Sequence, residues 1–222
     1  SVLNDEHTVS PRYRGIRLRT ESVLFFAMDA ETGELEWQYQ SKHSLRNNAI
    51  AIAGGRVYLI DRPLAPEDRI TDPKPTGKHR PALEPGEHPG GTLIAFDART
   101  GSVVWRTDED VFGTQLAVSE EHGVLLMYYQ AVKHGFFKLP SEIGGRMAAL
   151  DTATGSVVAT VQSSGPRERL SMLAANGYVV APLVDAADRV VVAVGYDGEP
   201  LWSLPLSPEA DYEVTADGIV VI

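Results

Sequence analysis

The stretch GGTLIAFDARTGSVVWRTD (90–108) has two near-copies in the same chain, SVLFFAMDAETGELEWQYQ (22–40) and GGRMAALDTATGSVVATVQ (144–162). Aligned on their acidic residue, Asp29, Asp97 and Asp151 are each followed four positions on by Gly33, Gly101 and Gly155. Four positions after each glycine stand Trp37, Trp105 and Ala159. A degenerate fourth copy, VVVAVGYDGEPLWSL (190–204), keeps the glycine and the indole as Gly198 and Trp202. All three tryptophans of the chain therefore occupy one repeat position, which marks a structural unit used several times.

The flanks of the phrase are rich in β-branched and aromatic residues and short enough for strands. The Asp-x-x-Thr-Gly between them reads as a hairpin turn. Its aspartate accepts hydrogen bonds from the amides that follow, and its glycine supplies a positive φ. A tryptophan at a fixed place in the second strand buries a large area and carries one N–H donor, so it suits pinning one sheet to its neighbour. Ala159 lacks that contact, and its unit is expected to be the least firmly pinned.

A second hairpin precedes each phrase. NAIAIAGGRVYLID (48–61), GTQLAVSEEHGVLLMYYQ (113–130), LSMLAANGYVVAPLV (170–184) and YEVTADGIVVI (212–222) all read as strand, glycine-bearing turn, strand. One unit is thus four antiparallel strands. Gly33, Gly101, Gly155 and Gly198 are separated by 68, 54 and 43 residues, and the last value matches the ~40–50 residues of a four-stranded propeller blade.

Composition narrows the partners. A formal net charge of −10 argues against nucleic acid, whose phosphates need clustered Lys and Arg. No apolar run reaches the roughly 20 residues of a membrane-spanning helix. The absence of cysteine excludes disulfides, thiol chemistry and cysteine-ligated zinc. Both ends of the sequence read as though cut from something longer.

The pattern Ala-x-Asp-x-x-Thr-Gly-x-x-x-Trp in AFDARTGSVVW (95–105) and AMDAETGELEW (27–37), together with the AIAGGRVYLID hairpin (51–61), resembles the repeat of pyrroloquinoline-quinone-like β-propellers. The resemblance covers most of 22–222. It implies an all-β fold of four-stranded antiparallel blades: a half blade over 22–40, whole blades over about 44–107, 112–162 and 167–205, and a half blade over 209–222. Residues 1–21 are an extension or linker. Two arrangements accommodate this count, an arc of a larger propeller or a ring of four blades closed by the terminal halves; the arc is the leading expectation. The family mixes quinoprotein dehydrogenases with non-catalytic propellers such as the outer-membrane assembly lipoprotein. The leading expectation is therefore a non-catalytic scaffold for a protein partner in the periplasm or another extracytoplasmic space. The alternative is part of a dehydrogenase using pyrroloquinoline quinone (PQQ) and calcium. By that resemblance cofactor groups come from the starts of inner strands. KHSLRNNAIAI (42–52) places His43, Arg46, Asn47 and Asn48 just before an inner strand, and Arg46 and Asn47 are the cofactor candidates. SGPRERLSM (164–172) places Arg167, Glu168 and Arg169 likewise. The same polar groups would equally serve as hydrated ends of channel-lining strands. No tryptophan outside the repeat position is available to floor a cofactor, and no catalytic residue is assigned.

The remaining signals carry less chemistry. Residues 61–90 hold seven of the 14 prolines and read as an insert between strands, either a tolerated insertion or a partner contact. A smaller insert (131–145) carries Phe136 and Phe137, a satellite core or a contact point. The six histidines have no metal-ligand spacing. Asp108, Glu109 and Asp110 offer oxygens to calcium, but three acids in a connecting loop also make an ordinary solvated surface.

Overall fold

The computed structural model describes residues 2–3, 21–63, 90–113, 115–128, 146–162, 171–172, 177–184, 189–207, 210, 212–215 and 218–221. The expectations for most of the long insert, for Phe136 and Phe137, and for Arg167, Glu168 and Arg169 fall outside them. The described residues form strands and turns and no helix. Strands β1 (Val2–Leu3), β2 (Glu21–Met28), β3 (Leu35–Ala53), β4 (Arg56–Arg62), β5 (Thr92–Asp97) and β6 (Val103–Thr107) pair in that order as one antiparallel sheet. Next come β7 (Gln115–Ser119), β8 (Val124–Tyr128), β9 (Arg146–Asp151) and β10 (Val157–Gln162) as a second sheet. A third holds β11 (Ser171–Met172), β12 (Tyr178–Val184), β13 (Arg189–Gly195) and β14 (Pro200–Leu206), and β15 (Tyr212–Thr215) pairs with β16 (Gly218–Val221). Every pairing joins sequence neighbours, as four-stranded meanders should.

The sheets stack face to face, and the alternation of side chains shows how. In β4 and β5, Tyr58, Ile60, Leu93 and Ala95 enter one buried cluster, with Leu125, Met127, Ala148 and Leu150 of the second sheet. Their neighbours Val57, Leu59, Ile94 and Phe96 enter another on the opposite face, with Phe25, Trp37 and Tyr39 of the first hairpin packed on it. The second sheet repeats this arrangement. Its other face puts Val124, Leu126, Met147 and Ala149 against Tyr196 of the third sheet. Strands buried on both faces read as unbroken apolar runs, which explains TLIAF, VLLM and MAAL. Each Val, Leu, Ile, Phe or Met side chain among them contributes about 1.5–3 kcal/mol when fully buried.

Three features depart from the boundaries expected from sequence. The break expected between 40 and 44 lies inside β3, a continuous strand of 19 residues. Its first part pairs with β2 (Phe25↔Tyr39, Ala27↔Trp37), and its last part pairs with β4 (Ile50↔Leu59, Ile52↔Val57). Near the middle both contacts occur together, since Leu45 lies opposite Ser22 on one side and Asp61 on the other. The first half blade and the first whole blade are therefore one hydrogen-bonded sheet. Val2 and Leu3, expected in a linker, instead add a short strand beside β2. Asp61 and Arg62, expected to open the insert, complete β4 and are buried.

The repeated turn explains the stacking. Gly33, Gly101 and Gly155 all have positive φ, between 69° and 76°. Their amides donate to the carbonyls of Asp29, Asp97 and Asp151 at 2.8–2.9 Å. Trp37 of the first hairpin lies on Gly101, where a Cβ would come within 2.6 Å of the ring, and Trp105 lies on Gly155 at the same separation. Each indole N–H donates to the carbonyl of the residue after the next turn's aspartate, Trp37 to Ala98 at 2.9 Å and Trp105 to Thr152 at 2.8 Å. Trp105→Ala is expected to destabilise the fold by about 3–5 kcal/mol in urea unfolding. A loss below about 1 kcal/mol would remove the indole from its structural role. Gly33 has a φ of 73°, within a few degrees of the 76° of Gly155, but nothing within 4 Å of its would-be Cβ. Gly33→Ala should cost only backbone strain, about 1–2 kcal/mol, and Gly155→Ala distinctly more.

Candidate functional site

The three regular turns carry the sequence's most repeated polar groups, and those groups bond mainly to their own turn. Asp29 Oδ1 accepts from the amides of Glu31 and Thr32 at 2.9 and 2.7 Å. Asp97 Oδ1 accepts from the amides of Arg99 and Thr100 and from the Thr100 hydroxyl. Asp151 does the same with Ala153 and Thr154. Donors that favour the charged form hold all three carboxyls below their ordinary 3.8. The Thr32 amide leads for Asp29, the Thr100 amide for Asp97 and the Thr154 hydroxyl for Asp151. The residue after each aspartate faces two ways. Ala98 and Thr152 donate their amides to the inner hairpin turns, at Gly55 and Gly123, while their carbonyls receive the indoles.

The junctions also use residues that sequence reading did not single out. Arg56 Nη1 joins Trp105 on the Thr152 carbonyl, and the Glu120 carboxylate accepts from the Gly54 amide of the preceding sheet. At the third junction the pattern changes. Ala159 stands at the tryptophan register, opposite Ala149 as Trp105 is opposite Ala95. Gly195 replaces the turn aspartate, and Tyr196 follows it. Tyr196 is 5% exposed and packs in one cluster with Ala159, Ala149 and Met147, so the aromatic ring missing from one sheet is supplied by the facing turn. The weak pinning expected from Ala159 overlooked this exchange. Trp202 keeps the repeat register, opposite Ala193.

A second polar cluster sits where β3 passes from one hairpin to the next. Asp61 is 2% exposed and accepts three hydrogen bonds: from the Tyr39 hydroxyl at 2.8 Å, the Lys42 amide at 2.6 Å and the His43 amide at 2.9 Å. Burial first, then the bond to Asp61, holds the Tyr39 hydroxyl well above its ordinary range. Gly91 is small of necessity here, because a Cβ would lie 2.6 Å from that of Arg62 and 2.9 Å from the Asp61 carbonyl oxygen.

The two cofactor candidates do not form a common seat. Arg46 is 2% exposed, in the interior beside this cluster, whereas Asn47 is exposed and its side-chain oxygen accepts from the Ser22 hydroxyl at 3.2 Å. Of the acidic run, Asp110 adopts a φ of 53° and forms a forked ion pair with Arg146, whose guanidinium lies 4.1 Å from the Phe112 ring centre. Among the described residues no group of three or more histidines and carboxylates is placed to hold a metal ion.

A family model described as outer membrane protein assembly factor BamB matches residues 16–203. No curated protein matches the sequence significantly. Among solved structures, the chain is similar to dihydro-heme d1 dehydrogenase NirN in complex with DHE. The match is 17% identical, covers 88% of this chain and 35% of that one, and has a TM-score of 0.49. The quinohemoprotein alcohol dehydrogenase ADHIIG from Pseudomonas putida HK5 is matched at 16% identity over 86% of this chain and 34% of that one, with a TM-score of 0.43. BamB from Moraxella catarrhalis is matched at 18% identity over 90% of this chain and 76% of that one, with a TM-score of 0.25. The chain spans about a third of the length of the two dehydrogenases.

Two outcomes are expected from these clusters. The turn carboxyls have folded pKa values below their unfolded ones. Their contribution is complete above the unfolded value and is lost as pH falls through the depressed folded values. Urea midpoints measured from pH 6 downward should therefore fall on the acid side, less steeply in Asp97→Asn, which keeps an acceptor without a titrating group. Tyr39→Phe should cost about 1.5–3 kcal/mol, the worth of a hydrogen bond to a charged acceptor; thermal unfolding with no change would show that Asp61 does not depend on the hydroxyl.

Proposed function

The chain belongs to the family described as outer membrane protein assembly factor BamB, and from that premise we propose that it is a non-catalytic propeller segment presenting its surface to a protein partner. One observation carries this reading. Polar groups that the repeat keeps are occupied in building it: the turn aspartates hold their own amides, and the indoles of Trp37 and Trp105 hold the next turn. A family defined by such residues is defined by an architecture, and function then resides in the surface built upon it. Membership also supports an extracytoplasmic, periplasmic location.

The outermost strands offer the surface. Val103 and Val104 of β6, Val157 and Val158 of β10, and Leu201 of β14 are each 44–55% exposed, a set of apolar side chains repeated at the same place in successive sheets. Exposed apolar groups in series mark a contact surface more readily than isolated ones do.

The quinone-dependent alternative makes a different forecast, and one titration separates the two. The intact protein is mixed with pyrroloquinoline quinone, with and without calcium, and its thermal midpoint and absorbance are followed. A scaffold shows no shift at saturating cofactor, whereas binding at about 100 times the Kd would add roughly 2.7 kcal/mol of stability. A calcium-dependent rise in the midpoint would overturn the scaffold reading and make Arg46 and Asn47 the first residues to replace.

A further inference from the structure

The first two junctions between repeat units, Trp37 on Gly101 and Trp105 on Gly155, provide a template against which the third can be compared. Between the first and second sheets, Arg56 opens β4 immediately after the Gly55 turn, and Trp105 stands in β6. Both donate to the Thr152 carbonyl. Between the second and third sheets, Val124 opens β8 immediately after the Gly123 turn and Ala159 holds the tryptophan register. Neither side chain has a donor. Where Arg56 reaches across at one junction, an open groove of about 410 Å³ runs across the next, lined by Val124, Val158, Tyr196, His122, Asp151 and Asp197.

The groove is acidic at its rim and aromatic in its wall. Asp197 replaces the missing turn aspartate, because its Oδ1 lies 2.6 Å from where a Cβ on Gly195 would be and accepts from the Glu199 amide at 3.0 Å. Asp151 at the other side already lies in the field of Arg56. Asp197 has no ion-pair partner among the described residues, and its second oxygen is not used by the turn. The Tyr196 ring is held edge-on by His122 at 5.5 Å, and His122 Nδ1 is hydrogen-bonded to the Ser119 hydroxyl at 2.8 Å.

We propose that this groove receives an arginine side chain from a partner protein, taking the role that Arg56 plays within the chain at the preceding junction. The guanidinium meets the Asp197 carboxylate, and the apolar stem lies along Val124, Val158 and the tyrosine. The formal charge of −10 favours approach of a basic segment. This inference rests on the scaffold reading and names the chemistry of one of its contacts.

The test uses the intact protein and the probe peptide acetyl-Gly-Arg-Gly-amide, with the citrulline peptide as a neutral control of the same shape. Amide resonances of Gly123, Gly177 and Gly195 report occupancy. The arginine peptide should give saturable shifts, with citrulline weaker by about tenfold, as expected for losing a charge-assisted bond. Val124→Arg places a guanidinium inside the groove from the position equivalent to Arg56 and should abolish the shifts; tryptophan fluorescence and the thermal midpoint check that this variant of a buried position folds, and exposed Asp197 gives a second variant that disturbs no core side chain. Asp197→Asn keeps the turn acceptor and should weaken binding about tenfold. Equal binding of citrulline, undiminished binding by Val124→Arg, or no saturable shift in the unaltered protein would each overturn the groove. A calcium-dependent quinone effect would overturn the scaffold reading itself, whatever the peptides do, so the two failures are distinguishable.

Discussion

An indole ring lying on a glycine, with its N–H directed at a carbonyl in the next sheet, is the contact on which this architecture depends. It succeeds only if three conditions are met together. The glycine must lack a Cβ, because the ring occupies that position at Gly101 and Gly155. The turn must present its carbonyl outward, which the aspartate ensures by tying down the amides that follow. The tryptophan must fall four residues after its own glycine, so that the side chain emerges on the face turned to the neighbour. The unit that carries Trp105 is thus an acceptor for the one before, through Ala98, and a donor to the one after, at Thr152. Stability in such an assembly is a sum of units and of nearest-neighbour contacts rather than the property of one central core.

The third junction shows how much latitude this arrangement tolerates. Ala159 removes the indole, and the facing turn is one residue shorter between its strands. Two substitutions within that turn offset the loss. Tyr196 brings an aromatic ring from the opposite side, and Asp197 restores a carboxylate where Gly195 has none. The exchange conserves packing, since the tyrosine ring fills the space against Ala159, Ala149 and Met147. Val124, in the position of Arg56, completes the difference. The same architecture is closed by donors at one junction and left open at the next.

What was legible in the sequence follows from the range of the interactions involved. Asp29, Gly33, Asp97, Gly101, Asp151 and Gly155 act within five residues of one another, so their spacing alone announces the turn. The tryptophans were legible by recurrence, although the residues they would touch were not. Tyr196, Arg56, Glu120 and Asp61 were invisible for the opposite reason. Arg56 meets Thr152 and Glu120 meets Gly54 across 96 and 66 residues, and nothing local distinguishes them from other surface charges. Asp61 resembled the first residue of a proline-rich insert, and only the return of β3 beside it reveals three donors converging on its carboxylate. Arg46 and Asn47 were expected just before an inner strand, whereas both lie within β3, where adjacent residues point to opposite faces, and one is buried while the other is not.

The unbroken course of β3 has a bearing on how the chain assembles. A strand that pairs on both sides cannot slide against one partner without sliding against the other, and a slip of a single residue would turn its apolar set to the wrong face in both. Alignment of the first hairpin is therefore coupled, through the stretch around Leu45 that pairs on both sides, to alignment of the three strands that follow it. The later sheets share no strand with their neighbours and each finds its own alignment. Errors of pairing are suppressed jointly at the beginning of the repeat array and must be avoided one sheet at a time further along it.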